Sequence, residues 1–285
     1  NMASQPSFYF QQEFYGYLLK ENPRFFGMIP DDKAWEATDY KLAYTKFQER
    51  FANAGDFEYF YLINKNNAKI EKYSKKYISA LPSTTKKEKA IDLGHRMLKG
   101  EHKKIVNKGT DPKSSVTIMY YGDAEYTPKE ALAMQALGEV LTIKLIEELR
   151  ENESGVYGIS ARGGMSKVPN GAYNFNIGFP CGPDNAEKLT ASALRELQKI
   201  IDNGPQEGDI KKFKEAEILD YKKDIKENRY WLTNFNRSYT NGTSPEDVLQ
   251  VEAKVNAVTA KDIQNVAKKY LSKDKVVGIL MPEKS

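Results

Sequence analysis

The sequence predicts an α+β protein whose antiparallel-rich sheets are each covered by helices. Leu137, Leu141, Leu145 and Leu149 recur every fourth residue, which places them on one stripe of a long helix. Tyr173, Phe175, Ile177 and Phe179 alternate with Asn174, Asn176 and Gly178, the period-two pattern of a half-buried strand. Between the two lies room for one turn and one further strand. The unit from Leu137 to Pro180 therefore reads helix, strand, loop, strand, with the two strands as a hairpin.

In chain order, Phe10, Phe14 and Tyr17 share a helical face and predict a helix from Gln5 to Glu21, ended by Asn22–Pro23. The stretch to residue 30 is dense in aromatics, Phe25 and Phe26 included. Aromatic stripes can stack on bases, but no basic residue interleaves with the Phe8–Tyr17 run, which points to core packing. A helix from Asp39 to Ala54 should bury Leu42, Phe47 and Phe51, and Gly55 ends it. Phe57, Tyr59, Tyr61 and Ile63 alternate as a strand, Asn64 to Asn67 make a turn, and Ala68 to Leu81 form a helix with Ile70, Tyr73, Tyr77 and Leu81 inward. Leu81-Pro-Ser-Thr-Thr85 breaks the pattern, and Lys86 to Lys89 is a solvated run. The expected organisation is a first part at 1–82, a linker at 83–99 and a second part at 100–285.

The second part opens with strands at His102–Val106 and Val116–Tyr121, around a turn at Gly109–Pro112. Thr127 is a good N-cap for the long helix, Pro128 suits its first turn, and Glu130 holds the capping-box position. That helix should stop near Ser154–Gly155, before a strand from Val156 to Ala161. Gly163–Gly164 and Pro169-Asn170-Gly171 mark the connection to the Tyr173 strand. A helix from Pro183 to Asn203 is closed by Gly204–Pro205, and 206–241 is one long helix or two joined ones. Ser244–Asp247 and Thr259–Asp262 cap further helices, and Val276–Leu280 is a buried strand.

A chain of 285 residues with 40% apolar and 12% aromatic content is globular in composition. The net charge of +4 is small, and lysines are spread among acids, so nothing calls for nucleic acid. No apolar run approaches the 18 or so residues of a membrane span. A signal peptide is not visible, and Asn1–Met2 reads as a cloned start, so the natural chain is expected to extend upstream. The single cysteine, Cys181, permits no internal disulfide and reads as a buried, inert thiol. His95 and His102 stand seven apart across a glycine with no ordered set of further ligands, so the expectation is no metal. No phosphate or dinucleotide loop follows Gly163–Gly164, and no Gly-x-Ser-x-Gly elbow is present.

Arg150 and Tyr157 flank the turn from helix to strand. A guanidinium and a phenol hydroxyl converging there would bind a carbonyl or oxyanion. Equally, an Arg at a helix C-terminus complements the dipole and a Tyr at a strand start packs on the sheet. The residue types leave both readings open.

The segment Leu149-Arg-Glu-Asn-Glu-Ser-Gly-Val-Tyr157, with the strand that follows and Pro180-Cys-Gly-Pro183, resembles the C-terminal half of the pitrilysin-type (M16, inverzincin) zinc metallopeptidases. Arg50–Phe57, Lys76–Pro82, Asn228–Trp231, Val258–Gln264, Ala267–Leu271 and Met281–Pro282 extend the resemblance over nearly the whole chain. It implies M16-type α+β domains, with 1–82 as the closing part of one and 100–285 as most of a second. It also implies that Arg150 and Tyr157 hold the backbone of a peptide or small unfolded protein. The family's zinc, bound by His-x-x-Glu-His, would belong to an N-terminal half, upstream or on a partner subunit, and this chain would be inactive alone. The alternative is a catalytically dead homologue serving as a structural or assembly subunit, or a peptide-binding module. Cytoplasm and periplasm both remain open as compartments.

Overall fold

The computed structural model describes residues 4–25, 27–63, 68–272 and 274–283, so Phe26 and the expected turn at Asn64–Asn67 lie outside the described residues. In chain order the helices are α1 (Pro6–Leu18), α2 (Asp32–Glu36), α3 (Tyr40–Phe51), α4 (Ala68–Tyr73), α5 (Pro128–Leu145), α6 (Ala186–Asn203), α7 (Glu207–Asp224), α8 (Asn228–Asn241), α9 (Val251–Asn256) and α10 (Ala260–Tyr270). The strands are β1 (Glu101–Asn107), β2 (Ser114–Asp123), β3 (Ser160–Ser166), β4 (Ala172–Cys181) and β5 (Lys275–Met281). The five form one sheet in the order β1-β5-β2-β4-β3, antiparallel except for the β1–β5 pair.

Two compact units interleave along the chain. One comprises residues 1–29, 92–220 and 251–285, and the other 30–91 and 221–250. Residues 1–29 belong with the sheet-bearing unit because α1 packs on β1 and β5.

In the sheet-bearing unit, strand alternation sends Val116, Ile118, Phe175, Ile177, Phe179 and Ile279 to one face, where they meet α5, α6 and α10. The predicted stripe Leu137, Leu141, Leu145 and Leu149 is wholly buried there. On the opposite face, Phe10, Phe14 and Leu18 of α1 cover Val106, Met119, Tyr121 and Val276. Gly278 makes room for them, since a Cβ there would lie 2.5 Å from the Phe14 ring. α5 lies close on β3. A Cβ at Gly163 would stand 2.6 Å from the Met134 carbonyl oxygen, and one at Gly138 would stand 3.0 Å from that of Ala161.

Three expectations change in this unit. The strand after the long helix runs from Ser160 to Ser166, not from Val156 to Ala161, and Val156 makes only an isolated bridge to Cys181. Gly163 and Gly164 are therefore strand residues rather than a connection; their missing side chains serve the approach of α5, not a turn. Glu130 does not complete a capping box. Thr127 accepts from the Glu130 amide at 3.1 Å, but the Glu130 carboxylate turns to Lys269 Nζ (2.7 Å) and Tyr270 Oη (2.6 Å), tying α5 to α10. Burial pushes the Glu130 carboxyl up, yet the hydrogen bonds from Lys269 and Tyr270 outweigh it and leave the group below its ordinary range. Residues 206–241 form two helices, α7 and α8.

The second unit holds α2, α3, α4 and α8. Asp39 caps α3 as its position predicts, accepting from the Leu42 amide at 3.0 Å. Asn53 binds the chain across the helix end. Its Oδ1 accepts from Gly55 and Thr84 amides, and its Nδ2 donates to the Lys86 carbonyl. The expected buried faces are not covered: Leu42, Phe47 and Phe51 are 56%, 56% and 58% exposed, and Tyr73, Tyr77 and Leu81 are exposed too. Phe57, Tyr59, Tyr61 and Ile63 form no strand and pair with no described strand, and all four are exposed. An apolar face forms only when something packs on it, and no described residue covers this one.

Gly163→Ala should lower stability by about 1–3 kcal/mol, because the α5–β3 approach leaves no space for a methyl group. Phe47→Ser should stay within about 0.5 kcal/mol, because the ring is exposed. Thermal melts of both variants check the contrast. Glu130→Gln should cost about 1–2 kcal/mol at neutral pH. With the folded pKa depressed, the contribution of Glu130 is present above the ordinary value of 4.5 and is lost as pH falls through the folded value. The gap between wild type and Glu130→Gln should thus close on acidification, as melts across an acid series would show.

Candidate functional site

Helix α5 does not end at Leu145 but widens into a π-helical stretch, Ile146–Asn152, which carries Arg150. Such wide turns recur at functional sites because they re-aim side chains without breaking the helix. The Glu153 amide bonds the Glu148 carbonyl at 2.9 Å, and the Gly155 amide reaches back to Leu149 at 2.9 Å. Ser154, at φ 49°, is the one non-glycine residue with positive φ among those described. The stop falls at the predicted Ser154–Gly155: Ser154 takes the left-handed step, and Gly155 is small because Leu189 packs on it, 2.6 Å from where a Cβ would sit.

The turn is anchored from below. Leu149 is fully buried and Val156 nearly so. Glu153 pairs with Lys188 at 2.8 Å and Arg195 at 3.7 Å, while Arg195 also reaches Glu148 at 3.4 Å. The Lys188 ammonium, aided by Ser192, holds the Glu153 carboxyl below the ordinary glutamate range. Sequence reasoning missed Glu153. The signal was available, since an acid just beyond a helix C-terminus is unfavourable to the dipole unless a cation answers it.

On this frame Arg150 is exposed and Tyr157 is 92% exposed. Neither side chain makes a hydrogen bond or ion pair with any described residue, and no cation–π contact joins them. The structure sets both on the surface at one anchored turn but does not bring their polar groups together. What this arrangement offers is two solvent-facing donors, one of them charged, that no described residue engages, on a turn anchored by buried neighbours.

The remaining candidates have ordinary surroundings. Cys181 is buried, and burial raises its thiol pKa, so the sulfur stays protonated and unreactive. Both ring nitrogens of His102 are engaged, Nδ1 with the Tyr17 hydroxyl and Nε2 with the Lys99 carbonyl, each at 2.9 Å. Among the described residues no group of three or more His, Cys, Asp or Glu could hold a metal ion, and no helix is long and apolar enough to cross a membrane.

Residues 43–217 match the family model described as the peptidase M16 inactive domain. A zinc protease PQQL-like protein of Arabidopsis thaliana is 26% identical over 166 residues, covering 52% of this chain and 17% of that protein. The probable zinc protease PqqL of Haemophilus influenzae is 22% identical over 236 residues, covering 82% of this chain and 25% of that protein. The chain thus spans a quarter or less of the curated relatives it matches. Among solved structures, the ferredoxin protease FusC in complex with Arabidopsis ferredoxin shares the fold with a TM-score of 0.76 at 13% identity, over 95% of this chain and 30% of that one. A peptidase M16 inactive domain from Pseudomonas fluorescens matches all of this chain and 68% of its own, with a TM-score of 0.69 and 14% identity. With more than half its residues matched by that family model, the chain belongs to the M16 peptidase family as a member of its inactive-domain group.

Proposed function

We propose that the chain is the non-zinc C-terminal half of an M16-type zinc metallopeptidase and forms one wall of its peptide-binding chamber. The observation that carries this reading is the pair Arg150 and Tyr157, presented without partners on a turn held by buried Leu149 and Val156 and by the Glu153 ion pairs. Two donors carried on one anchored turn suit a carbonyl whose charge grows during attack. Zinc and the general base would come from an N-terminal half, in the same protein or on a partner subunit, and the substrate would be a peptide or small unfolded protein. Alone, the chain would hydrolyse nothing.

The uncovered side of the second unit supports the accompanying domain reading, in which residues 1–82 are the closing part of one M16-type domain and 100–285 most of the next. α3 buries none of its residues, and the alternating segment 57–63 lacks a strand to pair with. Both are what a domain would look like with its other layers elsewhere.

The test is made in the enzyme assembled with its zinc-bearing half. Tyr157→Phe and Arg150→Ala should each reduce peptide turnover by about 10²–10³, with zinc content and melting unchanged. Their effects should be non-additive if both grip one group. Wild-type turnover in both variants would reduce the turn to a structural feature. Metal analysis of the isolated chain after dialysis should find no stoichiometric zinc; one tightly held zinc per chain would sink the half-enzyme reading.

A further inference from the structure

The chain carries three Asn–Gly pairs, at Asn170–Gly171, Asn203–Gly204 and Asn241–Gly242. Such a pair can react with itself. Glycine has no Cβ to keep its amide nitrogen away from the preceding side chain, so that nitrogen can attack the asparagine Cγ. The fold decides the rate, by holding the two groups or leaving them free. Two of the pairs are held. Asn203 and Asn241 are the last residues of α6 and α8, and the glycine after each caps its helix. The Gly204 amide donates to the Ile200 carbonyl at 2.9 Å, and the Gly242 amide to that of Tyr239 at 3.2 Å. Attack at either must first break a helix-ending bond.

Asn170–Gly171 differs. It lies in the connection between β3 and β4, directly after the exposed Val168 and Pro169. The Gly171 amide donates to no described residue, although its carbonyl accepts from the Ala124 amide at 3.0 Å. The Asn170 carboxamide is loosely held. Its Nδ2 stands 3.4 Å from Asp123 Oδ1 and 3.4 Å from the Gly171 carbonyl oxygen, both at the long limit of hydrogen bonding. The fold also requires the glycine, because a Cβ at Gly171 would collide with the Ala124 carbonyl oxygen. A free nucleophile, a loose side chain and an obligatory glycine thus meet at one connection.

We propose that Asn170 is a self-modifying site, converted by deamidation to aspartate or isoaspartate in the folded protein. The Gly171 nitrogen gives its proton to solvent and bonds to Asn170 Cγ. The side-chain nitrogen takes a proton from solvent and leaves as ammonia. The cyclic imide that remains takes up one water, which opens it at either carbonyl. One opening leaves aspartate; the other leaves isoaspartate, whose main chain runs through Cβ. Water is the sole co-reactant. Either product sets a carboxylate beside Asp123. Arg96 Nε already answers Asp123 at 2.6 Å, and the same guanidinium holds Asp92 at 2.7 Å. One cation then faces three carboxylates, which loosens the tie between Asp92–Arg96 and the end of β2. None of this depends on the Arg150–Tyr157 reading.

The test incubates the whole chain at neutral pH and follows the peptides around all three pairs by mass spectrometry, with isoaspartate-specific enzymatic methylation reporting the second product. Asn170 should convert at least about fivefold faster than Asn203 or Asn241, the scale of one hydrogen bond that must open first. In urea, which dissolves helix and loop alike, the three rates should converge. Conversion should quicken at alkaline pH, since the attacking nitrogen must lose its proton. Asn170→Gln should abolish the mass gain in its peptide. Asn170→Asp should melt below wild type at low salt, with the gap narrowing as salt screens the charges. Equal rates in the folded chain, or a slower rate at Asn170 than at either helix end, overturn the site. So does an Asn170 that stays intact while a synthetic Val168–Tyr173 peptide converts. An Asn170→Asp melt identical to wild type at every salt concentration would keep the site and remove its effect on Arg96.

Discussion

The close approach of α5 to β3 is the constraint on which the rest of this structure depends. Gly138 on the helix and Gly163 on the strand bring two backbones together where either Cβ would collide, at 3.0 Å and 2.6 Å from a main-chain oxygen. Dense packing makes such a contact intolerant of even one methyl group. It aligns the leucine stripe of α5 over the sheet, sets where the helix must end, and so places the turn that carries Arg150 and Tyr157. It also positions Thr142, whose hydroxyl accepts from the Ala161 amide.

The two compact units obey the same physics with opposite outcomes. In the sheet-bearing unit every strong pattern finds its partner: α1 covers one face, while α5, α6 and α10 cover the other. In the second unit the patterns are as clear and unanswered. Phe47 stacks on Phe51 and Phe51 on Phe57, ring centroids 4.6 Å and 5.4 Å apart, yet these rings stay exposed. Stacking along one surface contributes some stability, but removing such a surface from water requires a second layer.

Most of the sheet-bearing unit was legible in the sequence because its signals are local. Period-two alternation located β4, the segments Val116–Tyr121 and Val276–Leu280 marked β2 and β5, the leucine stripe located α5, and Thr259–Asp262 marked a cap that the structure completes as a capping box. What failed needed information from afar. Gly163–Gly164 looks like a turn in one dimension and becomes a strand only because α5 lies on it. Glu130 sits where a capping box wants it, but Lys269 and Tyr270, distant in sequence, compete successfully for its carboxylate. Phe47, Phe51 and the 57–63 segment have the periodicity of buried elements, and periodicity records what a segment can pack against, not whether the partner is there. Of the candidate site, Arg150 and Tyr157 were legible by position. That Glu153 wanted a cation was also legible, but not that α6 would supply it through Lys188 and Arg195, nor that Ser154 would take the left-handed step of the π-helical turn.

That turn reconciles two demands on one short segment. Leu149 must stay four residues beyond Leu145 to complete the buried stripe, and it is fully buried. Arg150, one residue further, has to face solvent to meet anything outside the protein. A regular α-helix carried to Asn152 would need a separate loop to turn the chain back toward β4. The π-helical stretch instead widens the last turn and spends Ser154 on the reversal, so that Val156 is already buried and bridged to Cys181. The reversal is short, and each buried residue in it is a fixed point. Arg150 follows directly on one of them, and Tyr157 directly on the other.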